Sequence, residues 1–291
     1  MVTKNKKRFI DFSALENPYL IAEIGINHNG DIQLAKKLID AAFACSWDCV
    51  KFQKRNPDVC VPEHQKNIPK ETPWGTMTYL EYKYRMEFGA KEFNFINKYC
   101  GSKPIHWTAS VWDHDSLEFL KQYEIPFIKI PSALLTELKL IRSAAQTGIP
   151  VILSTGMSTL KEIDEAVRVL EKHASQYALL HCNSSYPANL SELNLKAIPM
   201  LKKRYKCTVG YSGHEHGLTP TPLAVAMGAQ IIERHITLDH NMWGTDHASS
   251  IEPQGMDKLY RNINSVTLAL GDGKKTVHPS ELPIRKKLRG Y

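Results

Sequence analysis

Eight times along the chain, a short apolar run is followed by a stretch whose apolar residues recur at helical spacing. The runs are YLIAEIGIN (19–27), CVKFQK (49–54), IHWTAS (105–110), FIKIPS (127–132), VILSTG (151–156), YALLHCN (177–183), CTVGYSGH (207–214) and IIERHITLD (231–239). The first is followed by DIQLAKKLIDAAFACS (31–46), with Asp31 placed as an N-cap, and the last by a helical pattern over 253–270. Strands that are apolar through most of their length belong to a sheet covered on both faces. Eight strand–helix units in 291 residues therefore predict an α/β fold, a single-domain (β/α)8 TIM barrel. A doubly wound open sheet is the alternative, but no Gly-x-Gly-x-x-Gly turn follows the first run. The expected boundaries are an N-terminal extension over 1–17, the barrel over 18–275 and a C-terminal tail over 276–291.

Composition narrows the class. The chain is 43% hydrophobic and 23% charged, ordinary values for a soluble enzyme. No apolar run approaches the ~20 residues of a bilayer span, and no apolar core follows the basic start MVTKNKKRF, so a cytoplasmic protein without a membrane partner is expected. The six cysteines form neither a CxxC pair nor a zinc pattern, and are read as free thiols. Part of the net charge of +7 lies at the two ends, at Lys4, Lys6, Lys7 and Arg8 and at Arg285, Lys286, Lys287 and Arg289. No basic helix face is interleaved with aromatics, which argues against nucleic acid, while an anionic small substrate suits the charge.

Barrel enzymes collect their chemistry where the strands end. In this sequence all eight runs end in polar side chains: Glu23, Asn27 and His28; Lys51 and Gln53; Thr108 and Ser110; Lys129 and Ser132; Ser154 and Thr155; Asn183, Ser184, Ser185 and Tyr186; Ser212 and His214; and His235. Strand ends meet water, which accounts for any single serine. It does not account for Lys51 and Lys129 inside β-runs, because a buried ammonium costs several kcal/mol unless an anion pairs with it. Two lysines and a ring of hydroxyls at one mouth point to a bound phosphate or carboxylate. His214 and His235 end adjacent strands, about 4.8 Å apart, so both imidazoles can reach one divalent ion. His216, His240 and His247 are read as loop histidines. The segment between the second run and the following helix is too long for a simple connection, and Trp74, Tyr79, Tyr82 and Tyr84 make it aromatic. It is expected to act as a lid over the mouth or as a packed excursion.

AEIGINHNG (22–30), VKFQ (50–53), KIPS (129–132), ILSTGMSTL (152–160), GYSGHE (210–215) and ERHITLD (233–239), in this order, resemble the sialic acid synthase family. Its members condense phosphoenolpyruvate with an N-acetylated aldose to give nine-carbon sugar acids. The resemblance implies a transferase forming a C–C bond from phosphoenolpyruvate and an N-acetylmannosamine-like aldose. It implies a divalent metal, Mn2+ or else Mg2+ or Co2+, on His214 and His235. It places phosphoenolpyruvate on Lys51, Thr108, Lys129, Ser132, Ser154, Asn183, Ser184 and Ser212, and the sugar on Gln53, Tyr186 and Asp246. Glu23 would act near the reacting carbons, with Glu233 and Arg234 as supporting charges, and a homodimer is expected. Two positions depart from the family pattern: Leu134 stands where members often carry a sugar-binding glutamate, and Ser184, beside Asn183, stands where some carry an asparagine. Studied members also have an antifreeze-like domain after the barrel, and this chain is expected to act as the barrel alone.

Other readings are a synthase of another 3-deoxy-ulosonic acid, a metal-dependent hydrolase or isomerase, a Schiff-base aldolase using Lys129 or Lys51, and a non-catalytic binding barrel. Hydrolases of that kind place His-x-His on the first strand, where this chain reads EIGIN.

Overall fold

The computed structural model describes residues 9–290; the basic residues Lys4, Lys6, Lys7 and Arg8 lie outside the described residues, as does Tyr291. The strands are β1 (Tyr19–Gly25), β2 (Cys49–Lys54), β3 (Pro69–Thr72), β4 (Gly75–Thr78), β5 (His106–Val111), β6 (Ile128–Ile130), β7 (Val151–Ser154), β8 (Tyr177–Cys182), β9 (Thr208–Gly213) and β10 (Ile231–His235). Eight of them close a parallel barrel in the order β1-β10-β9-β8-β7-β6-β5-β2, as the strand–helix count requires, and β3 and β4 pair as an antiparallel hairpin. Among the described residues no helix is long and apolar enough to cross a membrane.

The helices that pack on the barrel bury one stripe each. In the helix Leu160–His173 the buried residues are Ile163, Ala166, Val167 and Leu170, at the three- and four-residue steps of one face. Thr159 and Glu162 form a capping box at its start. A fully buried leucine contributes about 1.5–3 kcal/mol, so Leu170→Ala would cost this helix its seat more than any surface change.

Alternation along the strands separates two interiors. Outward residues such as Leu20, Val50, Phe52, Ile128, Leu153, Val209 and Ile232 join the large core between sheet and helices. Inward residues at the strand starts, Tyr19, Ile21, Cys49, Phe127, Ile152, Ala178 and Ile231, form a separate apolar floor. Phe12, in the short 3-10 turn Phe12–Ala14, seats in that floor with its ring 6.4 Å from Phe127. One and two inward positions further up, the barrel lining changes from apolar to ionic. At the other end of the chain the helix Leu282–Arg289 has no buried residue. All six cysteines are free, as expected from their spacing.

The long connection after β2 contains the β3–β4 hairpin and the helix Tyr79–Met86. It is packed rather than extended. Trp74 and Tyr82 meet Trp243 edge-on, with ring centroids 5.3 Å and 5.6 Å apart, and the Arg85 guanidinium lies 4.2 Å over Trp74. Trp243 belongs to the loop after β10, and its carbonyl accepts from the Asn29 side chain at 2.9 Å. Three loops at the C-terminal mouth thus meet at Trp243.

Candidate active site

The ionic layer is built by one inward position from each of six barrel strands. Glu23, Lys51, Lys129, Ser154, Ser212 and Glu233 are each at most 4% exposed. Lys51 Nζ stands 2.7 Å from Glu23 Oε2 and 3.7 Å from Glu233 Oε2, and Lys129 Nζ stands 3.8 Å from Glu233 Oε1. Lys129 donates to Ser154 Oγ at 2.7 Å, and Ser212 Oγ donates to Glu233 Oε1 at 3.0 Å. These groups line a cavity of about 170 Å³ together with Gln53, Ser132, Ser184, Tyr186, His214 and His235. A larger open cleft of about 700 Å³ lies at the opposite face beside Phe12, and it has no comparable cluster of buried charge.

The two lysines are electrostatically unequal. Burial lowers the Lys51 pKa, but Glu23 and Glu233 more than offset this and leave it raised. For Lys129 burial wins: attraction to Glu233 does not recover the loss and Lys51 adds repulsion, so its pKa is lowered. Burial raises Glu23 despite Lys51 and His235. Glu233 is also desolvated, yet Lys129, Lys51 and His235 hold it below the usual carboxylate range. The site therefore carries its own two carboxylates opposite its two lysines.

His214 and His235 stand above this layer with ring centroids 5.4 Å apart. Because a carbonyl only accepts, His214 Nδ1–H donates to Asn183 O (2.5 Å), leaving the Nε2 lone pair to accept from the Tyr186 hydroxyl at 2.9 Å. Burial pushes its pKa down to about 3, so the ring is neutral. His235 Nδ1 is buried with no hydrogen-bond partner, and Asp246 Oδ2 lies 3.6 Å away. A neutral imidazole oriented by a backbone carbonyl, next to an imidazole with an orphaned nitrogen, is a donor set that fits a divalent ion. Among the described residues no third His, Cys, Asp or Glu completes a cluster with them, so the remaining positions would fall to substrate or water.

Not every expected residue reaches the cavity. Thr108 is fully buried beside Lys51 in register and donates to Phe127 O, which places it beneath the cavity. The Asn183 side chain accepts from the Ser185 amide and so turns back into its own loop. Asp246 sits at the rim, accepting from Thr245 Oγ1 at 2.6 Å. Asn27 ties the β1 end to Ile236 O and Ser250 Oγ, and His28 stacks on Phe88 at 3.9 Å. Leu134 packs against the outer core. His240 and His247 are held within their loop, by Ser250 O and Thr237 Oγ1 respectively.

Glu233 is central to the charge layer rather than a supporting charge, a role its place in the sequence understates. The two-residue step from Glu233 to His235 puts both on the inward face. Gly156 is a further residue of the site. Its amide donates to Ser132 Oγ at 3.0 Å, and a Cβ there would come within 2.2 Å of Ser184 Oγ and 2.9 Å of Cys182 Sγ. Only glycine leaves that wall of the cavity open. Cys182, Ser110 and Trp112 line the cavity too. The alternation along β5 and β8 signals Ser110 and Cys182, whereas Trp112 lies past the strand end and has no such signal.

Residues 38–275 match the NeuB family. The chain is 38% identical over 272 residues to the N,N'-diacetyllegionaminic acid synthase of Campylobacter jejuni, covering 92% of this chain and 81% of that one. It is 34% identical to the N-acetylneuraminate-9-phosphate synthase of Homo sapiens, covering 93% and 76%. The crystal structure of the N-acetylneuraminic acid (sialic acid) synthetase from Leptospira borgpetersenii, in complex with citrate, superposes with a TM-score of 0.84 at 35% identity, covering 95% of this chain and 94% of that one. With its barrel, its motifs and these relatives in agreement, the chain belongs to the NeuB family.

Proposed function

We propose that this enzyme condenses phosphoenolpyruvate with the open-chain form of an N-acetylmannosamine-like aldose, giving a nonulosonic acid and phosphate. Relatives named as synthases of legionaminic and neuraminic acids support the reaction class. The observation that carries the reading is the placement of two buried lysines and two neighbouring imidazoles on one 170 Å³ cavity.

In this reading C3 of phosphoenolpyruvate attacks the aldehyde carbon, forming the C–C bond while the C=O π pair moves to the aldehyde oxygen, which takes up a proton to become a hydroxyl, and leaving an oxocarbenium-like C2. Water adds at C2, the C2–O bond to phosphate breaks, and loss of the water-derived proton leaves the keto acid. His214 and His235 would hold a divalent ion, manganese by resemblance, which would supply Lewis-acid polarisation of the aldehyde oxygen. Lys51 and Lys129, with Ser132, Ser154 and Ser212, hold the phosphate from ground state to departure. The phosphate takes over ammonium contacts that Glu23 and Glu233 make within the charge layer. Glu23, thereby released from Lys51, positions the water and accepts its proton. Gln53, Tyr186 and Asp246 orient the sugar at the rim. The test is incubation with phosphoenolpyruvate, Mn2+ and a panel of hexosamine derivatives, scoring phosphate release and product mass. A panel without any phosphate release would sink the reading.

A Schiff-base aldolase is the second reading, because burial lowers the Lys129 pKa towards a reactive amine. Borohydride in the presence of substrate labels the lysine in that case and leaves the proposed synthase unlabelled.

A further inference from the structure

Behind the two imidazoles, on the other side of the sheet, lies a charge that the reaction does not use. Arg234 follows Glu233 and so points outward into the helix layer, where neighbouring outward positions are Ala22, Ile24, Val209 and Ile232. Its side chain and that of Glu215 are both 0% exposed, with Arg234 Nη1 3.0 Å from Glu215 Oε1. Arg234 Nη1 also donates to Thr221 Oγ1 at 2.8 Å, and Nη2 donates to the backbone carbonyl of Glu215 at 2.8 Å. Both amino groups reach Gly217 O, at 3.2 Å and 3.3 Å. The other carboxylate oxygen of Glu215 accepts from the Tyr211 hydroxyl at 2.8 Å. The chain leaves room for this network at Gly213, which pairs with Arg234 in the β9–β10 register. A Cβ at Gly213 would lie 2.7 Å from Glu215 Oε2, 2.8 Å from Tyr211 Cε1 and 2.9 Å from Arg234 Cδ.

The network joins the residue after His214 to the residue before His235. It also holds the backbone of Glu215 and Gly217, adding to the Ala188 amide on His214 O and the Asn183 carbonyl on His214 Nδ1 a tie between this segment and the strand that carries His235. Stability alone is a weak reason for it, since apolar side chains of similar volume often replace a buried ion pair at no cost in stability. A planar guanidinium gripping two carbonyls and a carboxylate does what an apolar contact does not: it fixes direction as well as distance.

We propose that Arg234 and Glu215 are positioning residues that set the spacing and orientation of His214 and His235, and thereby the affinity of the mouth for a divalent ion. The proposal rests on the reading of those histidines as metal ligands.

The test measures Mn2+ binding by calorimetry on the full chain without substrate, with a thermal melt for every variant. Arg234→Lys keeps the charge but loses the fork, and Thr221→Val removes one acceptor while leaving the ion pair. Val167→Ala, in the helix Leu160–His173, serves as a destabilised control remote from the histidines. Arg234→Lys is expected to weaken Mn2+ binding by roughly 10- to 100-fold, the scale for groups that orient metal ligands, with Thr221→Val weaker than wild type by a smaller factor. Val167→Ala should melt earlier and bind Mn2+ as wild type does. Wild-type affinity in both clamp variants would overturn the proposal, as would losses in Val167→Ala that track its melting temperature equally. Should Arg234→Lys not fold, Thr221→Val decides. Absence of Mn2+ uptake by the wild type would instead remove the metal reading itself, and the proposal with it.

Discussion

Lys51→Met and Lys129→Met should have the same effect on substrate and unequal effects on stability. Each ammonium is within 4 Å of a buried carboxylate, and neither side chain is more than 4% exposed, so solvent screening is slight. Lost hydrogen bonds to a charged group are worth about 1.5–3 kcal/mol. At tenfold per ~1.4 kcal/mol, either substitution should raise the half-saturating phosphoenolpyruvate concentration by roughly 10- to 150-fold. Half-saturation by the sugar should change far less. Stability follows the sign of each pKa shift. The fold favours the Lys51 cation, through Glu23 and Glu233, so its removal strands Glu23 and should cost about 3–5 kcal/mol. The fold disfavours the Lys129 cation, through burial, and Glu233 keeps Lys51 and Ser212 when Lys129 is removed, so Lys129→Met should lower the urea midpoint less than Lys51→Met does. The assays are phosphate release with each substrate varied in turn, and urea unfolding of the protein without substrate. Equal losses towards both substrates would refute phosphate binding by the lysines. Equal destabilisation by both substitutions would refute the electrostatic account of the charge layer.

His214→Ala or His235→Ala should abolish activity while leaving the circular dichroism spectrum unchanged; chelator should mimic them and Mn2+ rescue the wild type only, and a chelated enzyme at full rate would exclude the metal. Deleting the β3–β4 hairpin around Trp74 should raise half-saturation by the sugar much more than by phosphoenolpyruvate, because Trp74 packs on Trp243 in the loop that carries Asp246; an unchanged sugar dependence would show that the hairpin is no lid. His28 accepts from the Gly30 amide through Nδ1, and burial pushes its pKa down to about 3 from the ordinary 6.5. The unfolded chain therefore binds a proton there that the fold refuses, and stability present above pH 6.5 is lost as pH falls towards 3, by up to about 1.4 kcal/mol per pH unit. His28→Asn keeps an acceptor without a titrating group, so its urea midpoint should fall less than the wild type's between about pH 7 and 5; parallel curves would contradict this.

Local sequence determined the eight strands, because a short run of β-branched and aliphatic residues followed by apolar residues at helical spacing is encoded within a few positions. It also determined that polar groups gather at the strand ends, and two lysines inside apolar runs are enough to mark the ionic layer. The family motifs added roles that spacing alone does not assign. The tertiary structure decided where each of those groups points. Barrel curvature and register put Thr108 under the cavity, turned Asn183 into its own loop and set Glu233 between two lysines from β2 and β6. Closure of the sheet brought β1 against β10, so that Glu23 and His235 from opposite ends of the chain face one cavity. Trp74 and Trp243 could not be paired from sequence, since neither lies in a barrel strand and no local period links them. The same holds for the Arg234–Glu215 pair: the alternation places Arg234 outside the barrel, but only packing of the helix layer supplies the buried partners that an outward charge requires.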